Sequence, residues 1–129
     1  MDTPDINRIK DFWASGDWES LGAIPLKAIK QSDDRAEIAL LCASALQQTA
    51  QADSATDYAQ KAYEWGCDRQ LAINILTSGL HTTFGRLALL RKEDEMAQHH
   101  FVQAVTLYPG TASDAQIHAH KWAVQETAF

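Results

Sequence analysis

Residues 84–110 of the chain read FGRLALLRKEDEMAQHHFVQAVTLYPG, and this stretch decides the predicted fold. Small and apolar side chains recur in it at helical spacing on both sides of the acidic break Glu93-Asp94-Glu95. Carboxylates favour the positive end of a helix dipole, so a helix is predicted to begin at this break. It is predicted to end at the stop signal Tyr108-Pro109-Gly110. Two antiparallel helices, at about 69–91 and 93–107, are therefore expected.

The rest of the chain shows the same pattern of paired helices. Residues 33–50 carry apolar side chains three and four positions apart, with Ser32 and Asp33 as available caps. The polar break at 51–54 is short, which leaves room only for an antiparallel return. No alternating apolar run indicates a strand. Helix pairs are expected at about 5–30, 34–66 and 69–107, followed by a terminal helix at about 113–127.

Pro25 lies inside the helix expected from Asp17 to Lys30. A proline removes one backbone donor and clashes with the preceding turn. This helix is therefore predicted to start late, kink or split near Gly22 to Pro25.

An internal repeat relates positions that lie 38 residues apart. The aligned positions are mostly small or apolar, as contact positions between antiparallel helices must be. They form three columns, Leu21, Ala59 and Ala97; Pro25, Tyr63 and Phe101; and Ala28, Gly66 and Ala104.

The spacing within the last repeat resembles the tetratricopeptide repeat (TPR) family. The matching positions of its second helix are Ala97, Phe101, Ala104 and Pro109, preceded by the large and small pair Phe84-Gly85. The resemblance implies an all-α, antiparallel helix-hairpin solenoid, a TPR-like superhelix of about three repeats plus a C-terminal helix. The period is longer than the family's 34 residues. A longer helix or connector is therefore expected between Gly66 and Gly79.

The resemblance also implies that the first helix of each repeat lines a concave groove that holds a partner segment. The groove-facing candidates are Ile6 and Lys10 in the first repeat, Ser44 and Gln48 in the second, and Thr82, Arg86 and Leu89 in the third. The basic and Asn positions that bind acidic chaperone tails in some family members are not reproduced. Asn7, Ala45, Gly79 and Thr83 stand in such places. Binding of acidic chaperone tails is therefore not expected.

Composition and charge narrow the class of function. The chain has 129 residues, which is the size of one domain, and a net charge of −6. An acidic protein does not favour nucleic acid or an anionic membrane surface, so a neutral or basic partner is expected. No run approaches the length of a membrane span, and the polar start Met1-Asp2-Thr3-Pro4-Asp5 does not resemble a signal peptide. A cytoplasmic location is predicted.

Candidate catalytic and metal-binding residues give no coherent site. His99-His100 and His118-x-His120 lack the i, i+4 spacing that lets two histidines of one helix share an ion. No nucleophile motif and no Gly-rich phosphate loop is visible. Cys42 and Cys67 are 25 residues apart without a CxxC motif, which indicates reduced structural thiols. No catalysis, cofactor or metal is therefore predicted, and the four tryptophans are interpreted mainly as core.

The leading hypothesis is thus a non-enzymatic module that binds a protein or peptide partner in the groove of its first helices. A second hypothesis is homo-oligomerisation through the Trp122 helix. A third makes the chain the N-terminal scaffolding or regulatory domain of a larger enzyme, because no Gly or Pro stop signal precedes Phe129.

Overall fold

The computed structural model describes residues 3–108, and the secondary structure of this part is α-helix joined by turns, with no strand. Seven helices follow one another in this range, and the predicted terminal helix at about 113–127, with Trp122, lies outside it. The helices are α1 (Ile6–Ser15), α2 (Trp18–Gly22), α3 (Leu26–Ile29), α4 (Arg35–Gln48), α5 (Ala52–Glu64), α6 (Arg69–Leu90) and α7 (Asp94–Leu107).

The first helix pair is interrupted where the proline predicts a break. Helix α1 begins at the cap Asp5, whose carboxylate accepts a hydrogen bond from the Asn7 amide, and ends at Gly16 with φ 71°. Helix α2 ends at Gly22, and Pro25 occupies the N-cap position of α3. Because proline has no amide hydrogen, it is tolerated at a helix start and not inside the helix. The predicted helix 17–30 is therefore two short helices.

Helix α4 is the centre of the fold. All nine residues from Ile38 to Leu46 are buried. It forms an antiparallel hairpin with α5 and also contacts α1, α2, α3 and α6. Helix α4 is buried because its apolar side chains lie on nearly every face.

Helices α6 and α7 form the second hairpin. Gly85 of α6 lies against the ring of Phe101, where an added Cβ would be 2.6 Å from a ring carbon. The small residue thus lets the two helices approach, as the pattern of residues 84–110 predicts. Helix α6 has 22 residues and runs without a break through Gly79. It supplies the extra length expected between Gly66 and Gly79.

The aromatic residues of α1 and α2 complete the core against the end of α7. Trp13 and Trp18 are buried with ring centres 5.4 Å apart in an edge-on arrangement. The ring of Trp13 also meets that of Tyr108 at 6.0 Å. These two tryptophans belong to the core, as interpreted from the sequence, and Trp65 is half-buried. Helices α1 and α2, called the N-terminal hairpin, therefore pack against the C-terminal end of α7.

Candidate functional site

Two of the predicted groove residues, Gln48 and Arg86, meet at the C-terminal ends of α4 and α6. The Gln48 side-chain amide donates to the carbonyl of Gly79 at 2.9 Å and to the hydroxyl of Thr83 at 3.0 Å. The Arg86 guanidinium donates to the side-chain oxygen of Gln48 at 3.0 Å and to its carbonyl at 3.3 Å. Ser44 lies against Gly79, and Gln48, one turn later in α4, reaches Thr83 and Arg86, later in α6. The two helices therefore run side by side in the same direction.

Ser44 and Thr82 do not face an open groove, and the prediction for these two residues is corrected. Only 1% of Ser44 and 8% of Thr82 is exposed. The Ser44 hydroxyl lies directly beneath Gly79, at a distance that leaves no room for a Cβ there. The Thr82 hydroxyl donates to the Ser78 carbonyl at 3.1 Å. Ser44 is buried because Gly79 lets α6 approach α4 closely.

Thr82 also lines a small cavity of about 30 Å³, enclosed by the N-terminal hairpin and helices α6 and α7. Trp13 and Trp18 form its other wall. The N-terminal hairpin therefore covers part of the surface on which the sequence predicts an open groove.

Lys10 and Leu89 lie apart from the Gln48–Arg86 pair. The Lys10 ammonium is 3.8 Å from the Glu37 carboxylate near the start of α4. That position is about 16 Å along the helix from Gln48, given a rise of about 1.5 Å per residue. Leu89 is half-buried against Ala88, Ala97 and Phe101. The six predicted residues thus do not form one continuous surface.

Tyr108 joins the end of α7 to the start of α4. Its hydroxyl donates a short hydrogen bond to the Glu37 carboxylate. Burial raises the pKa of Tyr108, and the hydrogen bond and negative charge of Glu37 raise it further. The Lys10 ammonium lies 5.8 Å from the centre of the tyrosine ring. These hydrogen-bonding and charged groups pair with one another, so we interpret the cluster as a structural link between the end of α7 and the start of α4.

His81 of α6 and His100 of α7 face each other, a pairing that their sequence spacing does not reveal. Their Nδ1 atoms are 2.9 Å apart, which suits a hydrogen bond between two neutral rings. Burial lowers the pKa of His81, and the neighbouring His100 and His99 lower it further. Residues 3–108 contain no group of three or more potential ligands that could hold a metal ion. His118 and His120 lie outside these residues.

The most prominent surface feature is a row of large apolar side chains on α6, called the α6 row below. Its members are between 36% and 73% exposed, although each is an aliphatic or aromatic residue. They are Ile73, Leu76, Leu80, Phe84, Leu87 and Leu90. Phe84 and Leu87 continue into a shallow cleft of about 440 Å³ that Met96 and His100 of α7 also line. An apolar surface of this continuity is typical of a protein contact.

The sequence indicates this row, although the groove positions that the tetratricopeptide resemblance implies are different residues. Helix α6 has apolar residues around most of its circumference, which predicts a helix contacted on every side. Among the described residues α6 packs chiefly against α4 and α7, and Trp13 and Trp18 lie across a small cavity from Thr82. Another side of α6 is the exposed row.

Comparisons with protein-family models, with curated proteins and with solved structures find no match to this chain. The tetratricopeptide resemblance therefore stays a prediction. No helix in residues 3–108 has both the length and the apolar character needed to cross a membrane.

Proposed function

We propose that this chain is a non-enzymatic, TPR-like helical module whose function is to bind another protein. The arrangement of two antiparallel hairpins supports the proposal, since α4 and α6 are parallel neighbours. The small residues Gly79 and Gly85 stand at the close approaches of α6 to α4 and to α7. The net charge of −6 favours a neutral or basic partner over nucleic acid. A cytoplasmic location is part of this proposal.

The α6 row is the observation that carries the proposal. Isolated exposed leucines are common on protein surfaces, but six large apolar side chains on one helix face are not. Transfer of such side chains from water into a protein contact is favourable. The row therefore offers a partner a continuous apolar surface that the other described helices leave open.

The test compares a row variant with a matched control. Leu80→Glu with Leu87→Glu places two charges in the row, whereas Tyr63→Glu places one on α5, at a side chain that is 80% exposed. Proteins that crosslink to the wild-type chain are identified, made in pure form and titrated against each variant. Loss of two apolar anchors is expected to weaken binding at least about tenfold. Equal affinity for the row variant and the wild type would remove the α6 row from the proposal.

The groove of the first helices is a second candidate, favoured by the meeting of Gln48 and Arg86. Here the partner segment would lie along the C-terminal ends of α4 and α6. Arg86→Glu with Leu89→Ala is expected to weaken capture while helicity is retained, and Lys27→Glu, at an exposed charge on α3, is the control. Unchanged capture by the double variant would remove this groove assignment.

A further inference from the structure

The chain that follows α7 has the length needed to cover the α6 row. The row extends over residues 73–90, which is about 26 Å at a helical rise of about 1.5 Å per residue. Residues 109–129 lie outside the described part of the chain, and their sequence predicts a helix at about 113–127. A helix of that length is about 22 Å long. The predicted helix and the row therefore match in length.

The end of α7 lies near the start of the row. Helices α6 and α7 are antiparallel, and the Ser78 hydroxyl donates to the Ala104 carbonyl at 2.6 Å. Tyr108, one turn after Ala104, therefore lies about one turn before Ser78 along α6, at the start of the row. Residues 109–112 span up to about 13 Å, which exceeds the distance of about 10 Å between the axes of packed helices. A helix that follows them runs in the same direction as α6.

We propose that residues 113–127 form a helix that lies parallel to α6, covers the α6 row and is displaced when a partner binds there. The inference rests on the proposed function, because it names how the α6 row is regulated. Helical spacing puts Ala115, Ala119 and Trp122 on one face of this segment. With only Asp114, Lys121 and Glu126 as charged residues, the segment is nearly neutral, which suits an apolar row.

Trp122 is the apolar anchor of this contact. Two parallel helices rise equally per residue, so a segment that starts at the beginning of the row places Trp122 level with Phe84. Phe84 lines the shallow cleft of about 440 Å³, together with Leu87, Met96 and His100. Burial of an indole ring in such a cleft is favourable. Glu126, one turn after Trp122, then lies near Arg91 at the edge of the cleft, where the two charges attract.

The contact is weak enough for a partner to displace it. The row presents six large apolar side chains, whereas the predicted face of the segment opposes them with two alanines and one tryptophan. Alanine buries little apolar area, so much of the stabilisation available from the row remains unused. A partner with larger side chains gains more from the same surface. We expect the uncovered state to be populated at about 0.1–10% before a partner binds.

Thiol labelling of the full chain tests the cover. Leu80→Cys in a Cys67→Ser background puts one accessible thiol in the row, since Cys42 is buried. Trp122→Glu is expected to speed its labelling at least about tenfold, because the uncovered fraction rises toward one. Gln116→Glu, at a polar position off the predicted face, is expected to leave the rate unchanged. Tyr63→Cys, on exposed α5, should label equally fast with and without Trp122→Glu.

Disulfide trapping tests the register, and it does not depend on the folding of the Trp122→Glu variant. In the Cys67→Ser background, Leu80→Cys with Ala119→Cys places two thiols level with each other. Leu90→Cys with Ala115→Cys places them about 20 Å apart on the same two helices. The first pair is expected to link within the chain at least about tenfold faster than the second. Equal rates would overturn the parallel arrangement.

The outcomes separate this inference from the function on which it rests. If the Leu80→Cys thiol labels as fast with Trp122 as with Trp122→Glu, the segment does not cover the row. That result overturns the inference and leaves the proposed function standing, because the row is then open to a partner. If the Leu80→Cys thiol reacts only when the chain unfolds, as expected for Cys42, the cover does not open. That result overturns both proposals.

Discussion

The close approach of α4 and α6 predicts that substitutions at Ser44 and Gly79 depend strongly on each other. A Cβ at Gly79 would overlap the Ser44 hydroxyl, but it would lie 3.6 Å from the Ser44 Cβ, which is ordinary contact. The Ser44 hydroxyl is itself buried without a hydrogen-bond partner. Removal of this one oxygen should therefore convert an unfavourable Gly79→Ala substitution into a favourable one.

The expected magnitudes follow from these contacts. Ser44→Ala should raise the free energy of unfolding by about 1 kcal/mol, because it removes an unpaired buried polar group. Gly79→Ala alone gains about 1 kcal/mol of helix propensity but loses about 2 kcal/mol to overpacking, for a net loss of about 1 kcal/mol. The double variant keeps both gains and should be about 2 kcal/mol more stable than the wild type. The coupling between the two sites is then about 2 kcal/mol.

Urea unfolding of the four proteins, followed by circular dichroism, measures these differences. The double variant should also melt several degrees above the wild type, at about 4 °C per kcal/mol. Gly66→Ala is the control. Nothing lies within 4 Å of its added Cβ, but its φ of 79° disfavours alanine. Gly66→Ala should lower the free energy of unfolding by the same amount whether residue 44 is serine or alanine.

The reasoning is refuted if the stability change of the double variant differs by less than about 0.5 kcal/mol from the sum of the changes in the two single variants. They would mean that α6 does not approach α4 at this point. The Gln48 hydrogen bond to the Gly79 carbonyl would then also be in doubt, because it requires the same approach.

Three further predictions concern single groups. Tyr108→Phe should lower the free energy of unfolding by about 1.5 kcal/mol in urea titrations, because the Glu37 carboxylate loses its donor. The pKa of His81 is lowered in the folded state, so the unfolded chain binds more protons below a pH of about 6.5. Stability should therefore fall as pH decreases through that value, and less steeply in His81→Gln. Burial raises the pKa of Cys42 to about 12, so a thiol reagent should modify Cys67 in the folded protein and Cys42 only after unfolding.

Much of the secondary structure could be predicted from local sequence. The proline at position 25 requires a helix boundary because it lacks an amide hydrogen. Asp5, Asp17 and Asp68 each accept a hydrogen bond from the first turn of a helix. The small Gly85 and the aromatic Phe101 meet as their spacing predicts. These features depend on residues that are close together in the sequence or that belong to one hairpin. Short stretches of sequence therefore predict them.

The exposed and covered faces of each helix were decided by the tertiary structure. Spacing places Ser44, Gln48 and Thr82 on helices, but only the neighbouring helices determine that Ser44 and Thr82 are buried and Gln48 is not. Local spacing likewise does not reveal that His81 meets His100.

The α6 row illustrates the same limit. Its leucines predict a buried helix face, whereas in the described part of the chain this face of α6 is exposed. The sequence by itself determined which segments are helical and where close contact is possible. Which faces meet was determined by packing among segments far apart in the chain, because burial is a property of the neighbours and not of the residue.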